Sequence, residues 1–470
     1  MTANATTVSS SAAQAMPPPR FALGQSIGLA AFVWGYPLVE TLRTCRLQTL
    51  DAGTQAAAWR ADIDRLQHVR RAATAQDRDV VTPANDLLYS TGWINLANGA
   101  RLLRVPSSRR HAGRYFVLAL YDAWTNNFAN PGSANCDPNG ETIVLVGPGT
   151  PGGSHWPQGM RVLHAPTDLV WLIGRVVVGD GPDEARAAQA LQDDIALSCP
   201  EGSDSGTRPV AVDHWIGAPE DTMAALAARP GQAEETAAAF FTNLCQCLAS
   251  TTVPAADAGL AHWFTRGKLV AGTAFDWNHL DAPLQEGLVR GLQDGAALLE
   301  SGSRSHLARP WAASFALGRY GTDYLTRALT TYKGLGGLAS DEAVYAMGDF
   351  DADRSKLDGQ HRYQMRFEPG DLPPVDAFWS ITLYAADRFL YPNAFQRFSI
   401  GDRTPGLRPD PDGGLTLEIG HRAPDDRANW LPAPAGNFYV ILRMYRPREE
   451  ARSWRIPPLR RCAEPAREVA

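Results

Sequence analysis

A chain of 470 residues is too long for one ordinary hydrophobic core, and 44% hydrophobic with 20% charged residues fits a globular protein of two or three domains. The net charge of −6 excludes the bulk positive field that draws a protein to nucleic acid or to an anionic membrane. Thirteen Trp, 34 Pro and 42 Gly favour β-rich, loop-rich domains, and the six cysteines, with no CxxC among them, read as reduced thiols rather than a disulfide framework.

Residues 1–20 read as a disordered Ala/Ser/Thr/Pro tail without a basic or apolar leader region, so a cytoplasmic location is expected rather than a periplasmic one. Residues 21–49 predict an amphipathic helix with Phe21, Ile27, Phe32 and Val33 on its apolar side, interrupted at Gly35-Tyr36-Pro37. Its most apolar run, Ile27 to Val39, is too short to span a bilayer. A second, more polar helix is predicted over 55–76. Pro83 and Asn85 then break the pattern, and Leu87–Leu96 and Tyr115–Tyr121 have the β-branched and aromatic content of strands. In the latter, Phe116, Leu118 and Leu120 alternate with Tyr115, Val117, Ala119 and Tyr121, and Asp122 falls on the phase of the first set. A carboxylate at the end of an apolar face needs partners or a purpose. Strands continue to about 178; Ala-rich helices at 183–198 and 219–250, and another at 283–300, make 180–345 mainly helical. Short strands return from 361: HRYQMRFEP, AFWSITLYA, LTLEIG and NFYVILRMYRP.

The two β-rich regions share an order of motifs. Each has a strand ending in Tyr121 or Tyr384, a long loop, a strand opening after Gly, a Trp-x-Pro-type turn, and a strand carrying Arg175 or Arg443. The fold expected is α+β: two related β-sandwich or jelly-roll-like domains joined by a mainly helical segment. The boundaries are 21–180 for the first domain, 181–345 for the helical region and 346–462 for the second domain. A ligand site is expected where the two sheets face each other.

Several chemistries lack their motifs. There is no GxSxG elbow and no GxxxxGK[ST]. The GxGxxG match at Gly147–Gly152 is followed by Pro-rich sequence where a dinucleotide site needs a helix, so it reads as a turn. The ten histidines are dispersed without HExxH or HxH, and no metal or organic cofactor is expected. Asp349-Phe-Asp351-Ala-Asp353 resembles the start of a calcium loop but has Arg354 where Gly is needed, and reads as a solvated acidic turn.

Gly35-Tyr36-Pro37, Pro83-Ala-Asn85-Asp86-Leu-Leu-Tyr89-Ser90, Arg114-Tyr115 and Tyr121-Asp122 resemble the DUF1254 domain, and Gly318-Arg319-Tyr320-Gly321, Glu342–Tyr345 and Leu357-Asp358-Gly359 continue the match. Phe378-Trp379-Ser380-Ile-Thr-Leu-Tyr384, Arg397-Phe-Ser399-Ile-Gly401, Asn429-Trp430-Leu431-Pro432 and Arg443-Met-Tyr445-Arg-Pro447 resemble the DUF1214 domain. The resemblance covers about 30–460 and implies a helix-linked pair of β-rich domains, without an activity, cofactor or catalytic residue to carry over. Many members of the family have an export signal, and none is expected from residues 1–20 here.

The residues themselves suggest an enzyme of hydrolase or lyase type acting on a small organic molecule between the two β domains. Asp122 is the expected general acid or base, with Tyr121 and Tyr89 orienting the substrate or donating a proton. Tyr36, Asn85, Asp86, Ser90, Trp124, Asn126, Trp379 and Tyr384 are expected around the substrate, and Arg175 or Arg443 as a clamp for its carboxylate or phosphate. The rival from another class is a non-catalytic small-molecule or carbohydrate-binding protein that stacks its ligand on aromatic rings. Nucleic acid and membrane are not expected partners; a homo-oligomer is compatible with the sequence.

Overall fold

The computed structural model describes residues 17–49, 59–78, 81–150, 156, 159–200, 212, 218–271, 275–304 and 309–462. The chain opens with helix α1 (Pro19–Thr49) and the strands β1 (Gln67–His68), β2 (Leu87–Asn95), β3 (Arg101–Val105), β4 (Phe116–Asp122), β5 (Asn127–Ala129), β6 (Glu141–Val146), β7 (Arg161–His164) and β8 (Leu169–Val177). Helix α2 (Pro182–Asp193) and strand β9 (Ala196–Ser198) complete this unit. The middle of the chain carries α3 (Thr222–Ala228), α4 (Ala233–Ala249), α5 (Ala258–Phe264), α6 (Ala282–Arg304), the short strand β10 (Ala312–Ser314) and α7 (Tyr324–Lys333). Then follow β11 (Ala343–Gly348), β12 (Tyr363–Phe367), β13 (Val375–Ala385), β14 (Ser399–Gly401), β15 (Leu415–Gly420), β16 (Trp430–Pro432), β17 (Phe438–Pro447) and β18 (Arg460–Arg461).

Each β unit has a five-stranded and a four-stranded sheet. The orders are β1-β2-β8-β4-β5 and β7-β6-β3-β9 in the first, β10-β11-β17-β13-β14 and β16-β15-β12-β18 in the second. In both four-stranded sheets one pair is parallel, β6 with β7 and β15 with β16. Alternation along the strands explains the layering. Phe116, Leu118 and Leu120 of β4 point into a core shared with Leu103 of β3 and Ile143 of β6. Val117, Ala119 and Tyr121 point the other way, into a larger core built with α1, α4 and α6. In the second unit Trp379, Ile381 and Leu383 of β13 meet Met365 of β12 and Leu417 of β15. Both faces of the five-stranded sheets are thus covered, which is why β2, β4 and β8 are buried along their whole length.

Three helical expectations are corrected, and in the shortest of these corrections the helix expected over 183–198 ends at Asp193 and Ala196–Ser198 pairs with β3 as β9. No helix forms over the described part of 55–76. Instead β1 pairs with the edge of β2 at Gln67↔Thr91 and His68↔Ser90, and Asp64 accepts from the Asn95 amide and pairs with Arg101 at 2.7 Å. Edge pairing and this buried polar contact outweigh a favourable helix composition. Helix α1 runs through Pro37 without interruption and is not amphipathic, since the whole stretch Ala31–Leu42 is buried. By length and composition it could cross a membrane, but 67% of its most apolar window is buried inside the fold, as in a core helix. The acidic turn is corrected as well: Asp351 is buried, caps the Asp353 and Ser355 amides and pairs with Arg461 at 2.7 Å. The N-terminal tail to residue 16 and the end of the Gly147–Gly152 turn lie outside the described residues.

Candidate functional site

Among the described residues, a cavity of about 1570 Å³ opens where the two five-stranded sheets approach each other beneath α1 and α7. Tyr89, Trp171, Ile173 and Arg175 line it from the first unit, and Tyr345, Ile441, Arg443 and Tyr445 from the second. Eight basic side chains face it (Arg43, Arg60, Arg175, Arg309, Lys333, Lys356, Arg388 and Arg443) against the carboxylates of Glu40, Asp221 and Asp349. The chain as a whole is acidic, with a net charge of −6, so positive charge is concentrated here against the overall balance.

The two buried arginines occupy matching registers. Arg175 of β8 stands opposite Tyr89 of β2 and Val117 of β4, and Arg443 of β17 stands opposite Tyr345 of β11 and Ser380 of β13. Each reaches across to the segment that leads into the other unit. Arg175 donates to the Gly336 carbonyl at 2.6 Å, ahead of β11, and the Tyr121 hydroxyl donates to the same oxygen at 2.9 Å. Arg443 donates to the Thr82 carbonyl at 2.8 Å, ahead of β2, and the Tyr384 hydroxyl donates to the Pro83 carbonyl at 2.7 Å. Gly336 has φ 81°, and a Cβ there would lie 2.6 Å from the Ile173 side chain, so only glycine lets this loop come against β8. Arg175 and Arg443 are 7% and 4% exposed, and among the described residues neither forms an ion pair with a carboxylate.

A third element brings a carboxyl group to the cavity. Glu40, on the buried face of α1, contacts Arg43 at 3.3 Å through Oε2, while Oε1 is buried without a hydrogen-bond partner. Burial raises its pKa to about 7 against the lowering effect of Arg43. The hydroxyl of Tyr89, fully buried and itself shifted upward by burial, accepts from the Ala84 amide at 3.0 Å, which leaves its proton to donate. The cavity therefore holds a carboxyl poised near neutrality, several phenols and a pair of guanidinium forks.

Of the sequence-predicted site residues, Tyr89, Arg175 and Arg443 line this cavity. The expectation that Asp122 shares a pocket with Tyr89 or Asn85 is corrected. Its carboxylate accepts from the Trp124 amide at 2.9 Å, the Asn126 amide at 2.8 Å and Asn126 Nδ2 at 2.9 Å, and holds the turn after β4. Burial raises its pKa to about 6 against those hydrogen bonds. Asn126 is occupied in this turn, and Trp124 packs on Trp34 at 4.5 Å and donates to the Thr252 carbonyl. Tyr36 packs against Phe32 inside the helical core. Ser90 bonds His68 and Gln192 on the far side of β2. Trp379 packs on Phe367 within the second unit's core. Tyr121 and Tyr384 stand behind the cavity wall as the arginines' neighbours. Asn85 and Asp86 are off the cavity, with Asp86 3.8 Å from Arg403. Glu40 was missed because nothing in its local sequence separates it from an ordinary polar helix position. Its burial follows from the packing of α1.

The family model described as a protein of unknown function, DUF1254, matches residues 63–198, and the model of DUF1214, described in the same words, matches residues 342–449. No curated protein matches the chain. Among solved structures, the VPA0106 protein of Vibrio parahaemolyticus is similar at 21% identity and a TM-score of 0.69, over 94% of this chain and 100% of that one. An uncharacterised protein of Burkholderia cenocepacia is 12% identical with a TM-score of 0.42, over 92% of this chain and 87% of that one. With both family models matched in order and together spanning more than half of its length, the chain belongs to the two-domain DUF1254/DUF1214 family.

Proposed function

We propose that the protein is an enzyme of hydrolase or lyase type that acts on a small organic molecule in the cavity between its two β units. The observation that carries this reading is Glu40: a buried carboxyl at the cavity wall, one oxygen without a partner, its pKa raised to about 7 by burial. A general acid or base works best with a pKa near the working pH. Tyr89, lining the same cavity, supplies a phenol proton, and the arginines hold the substrate's anionic group. Asp122 has no part in this chemistry. We also propose that the two units are jelly-roll-like copies of one ancestral sandwich, supported by their matching strand orders and by the equivalent registers of Tyr89-Arg175 and Tyr345-Arg443.

The test begins with a thermal-shift screen of small carboxylates, phosphates and esters, followed by turnover assays on each stabilising compound. Glu40→Gln is expected to lower kcat by about 10²–10⁴-fold with little change in affinity, and the wild-type rate to titrate near pH 7. Turnover that is unchanged in Glu40→Gln rejects the assignment. A non-catalytic binding protein is the second reading, favoured by the aromatic wall in which Trp59 lies 4.9 Å from Tyr89, with Trp171 also lining the cavity. It predicts tight binding by the wild type and by Glu40→Gln, with no product from either.

A further inference from the structure

We propose that Arg175 and Arg443 act together as one subsite for a doubly charged oxyanion, so that the ligand is a small molecule carrying a phosphate-type group. This rests on the reading of the cavity as the ligand site and adds the class of ligand.

The argument starts from charge. Two guanidinium groups, 7% and 4% exposed, line the same cavity. Among the described residues they donate to the carbonyls of Gly336, Ile173 and Thr82 and to the hydroxyls of Tyr121 and Thr382, all neutral. Neutral acceptors satisfy N–H groups but do not cancel charge, and a buried ion with no counter-charge in contact is unfavourable until one arrives. Two carboxylates act on the pair through space only, Asp86 on Arg443 and Glu342 on Arg175; neither contacts its arginine, Asp86 lying 3.8 Å from Arg403 and Glu342 taking the Tyr115 hydroxyl proton and lying 3.8 Å from Arg446.

The two arginines also share surroundings. Tyr89, opposite Arg175 in register, lies within electrostatic reach of Arg443 as well. Tyr345, opposite Arg443, lies within reach of Arg175, and Tyr445 within reach of both. Both arginines thus border one cavity with the same three phenols, Tyr89, Tyr345 and Tyr445. A monocarboxylate would neutralise one of the two charges. A tetrahedral dianion neutralises both, offers oxygens to two guanidinium forks at once, and leaves further lone pairs for the phenol protons of Tyr89 and Tyr345. The reciprocal hydrogen bonds to Gly336 and Thr82 hold the forks in place before the ligand arrives, which lowers the ordering cost of binding.

The test uses the full chain and titration calorimetry with inorganic phosphate at pH 8, where it is a dianion, against acetate as the monoanion. Phosphate is expected to bind at least tenfold more tightly than acetate. Arg175→Gln and Arg443→Gln should each weaken phosphate at least tenfold and bring it to the level of acetate. Because either glutamine variant could fail to fold, Arg175→Lys and Arg443→Lys are measured beside them: they keep the charge, lose the fork, and should show an intermediate loss. A crystal soaked in phosphate provides the direct measurement, with density expected between the two guanidinium groups. Equal affinity for acetate and phosphate, loss confined to one arginine, or density elsewhere overturns the proposal. Its fate is separable from that of the enzyme reading. Phosphate binding that survives Glu40→Gln supports the subsite even where no turnover is found. Turnover of an uncharged substrate that needs Glu40 and neither arginine overturns the subsite and keeps the enzyme.

Discussion

Asp122, the carboxylate singled out in the sequence, has its oxygens engaged in the turn after β4. It ends an apolar strand, is buried, and has a raised pKa, all marks of a functional carboxyl. Its oxygens are nevertheless committed to a turn in which Thr125 adopts φ 68°, a conformation a β-branched residue resists. Asp122→Ala would strand the buried Trp124 amide and two Asn126 donors. It is expected to lower unfolding stability by about 1–3 kcal/mol while ligand binding in the cavity is retained, as read by denaturant unfolding beside calorimetry. The pH dependence has a definite sign. The folded pKa, about 6, lies above the ordinary aspartate value of 3.8, so the contribution is fully present below the latter and is lost as pH rises through the former. The wild type should therefore lose stability across that window more steeply than Asp122→Ala.

At the scale of elements, the position of the cavity depends on how closely α1 approaches α6. Gly24 and Gly28 on α1 face Gly287 and Gly291 on α6, and a Cβ on Gly291 would lie 2.3 Å from the Gln25 carbonyl oxygen. Backbone cannot yield as a flexible side chain can, so Gly291→Ala must separate the helices. The expected loss is on the order of 1–3 kcal/mol, seen as a lower melting temperature. Gly259→Ala on α5, where a Cβ meets nothing within 4 Å, is the control and should be neutral or slightly stabilising. The four-residue spacing of these glycines stands in the sequence, but only the packing tells that the two pairs meet. Packing on α6, α7, α4 and the first five-stranded sheet encloses most of α1, and the polar side chains Glu40, Arg43, Thr44 and Gln48 are left on the face that lines the cavity.

At the scale of the whole molecule, the two β units are tied crosswise rather than joined only in sequence. Tyr121 and Arg175 hold the segment ahead of β11, Tyr384 and Arg443 hold the segment ahead of β2, and Tyr115 donates to Glu342 at 2.6 Å across the same junction. Phe378 and Tyr445 of the second unit belong to the same core as α1 and β4. One cooperative thermal transition is therefore expected, with the calorimetric enthalpy equal to the van't Hoff value; two resolved transitions would show that the units unfold separately.

Strand alternation and helix composition are local patterns, and they sufficed for the mixed α+β class, the helices of the middle segment and the longer strands, though not for β1 and β9, which fall where helix was expected; the family followed from the resemblance of the motifs. Arg175 and Arg443 could also be singled out in the sequence, because their equivalent places follow from a shared motif order. The sequence could not separate Asp122 from Glu40, nor reveal that 59–76 abandons its helix. Each of those outcomes turns on a partner far along the chain: the Asn95 amide for Asp64, the cavity beneath α7 for Glu40. Local patterns set which residues form strands and helices because backbone preference and periodicity act over a few residues. Which charged groups lose their solvent, and what they face when they do, was decided only when distant segments packed together, because desolvation depends on the whole surrounding volume.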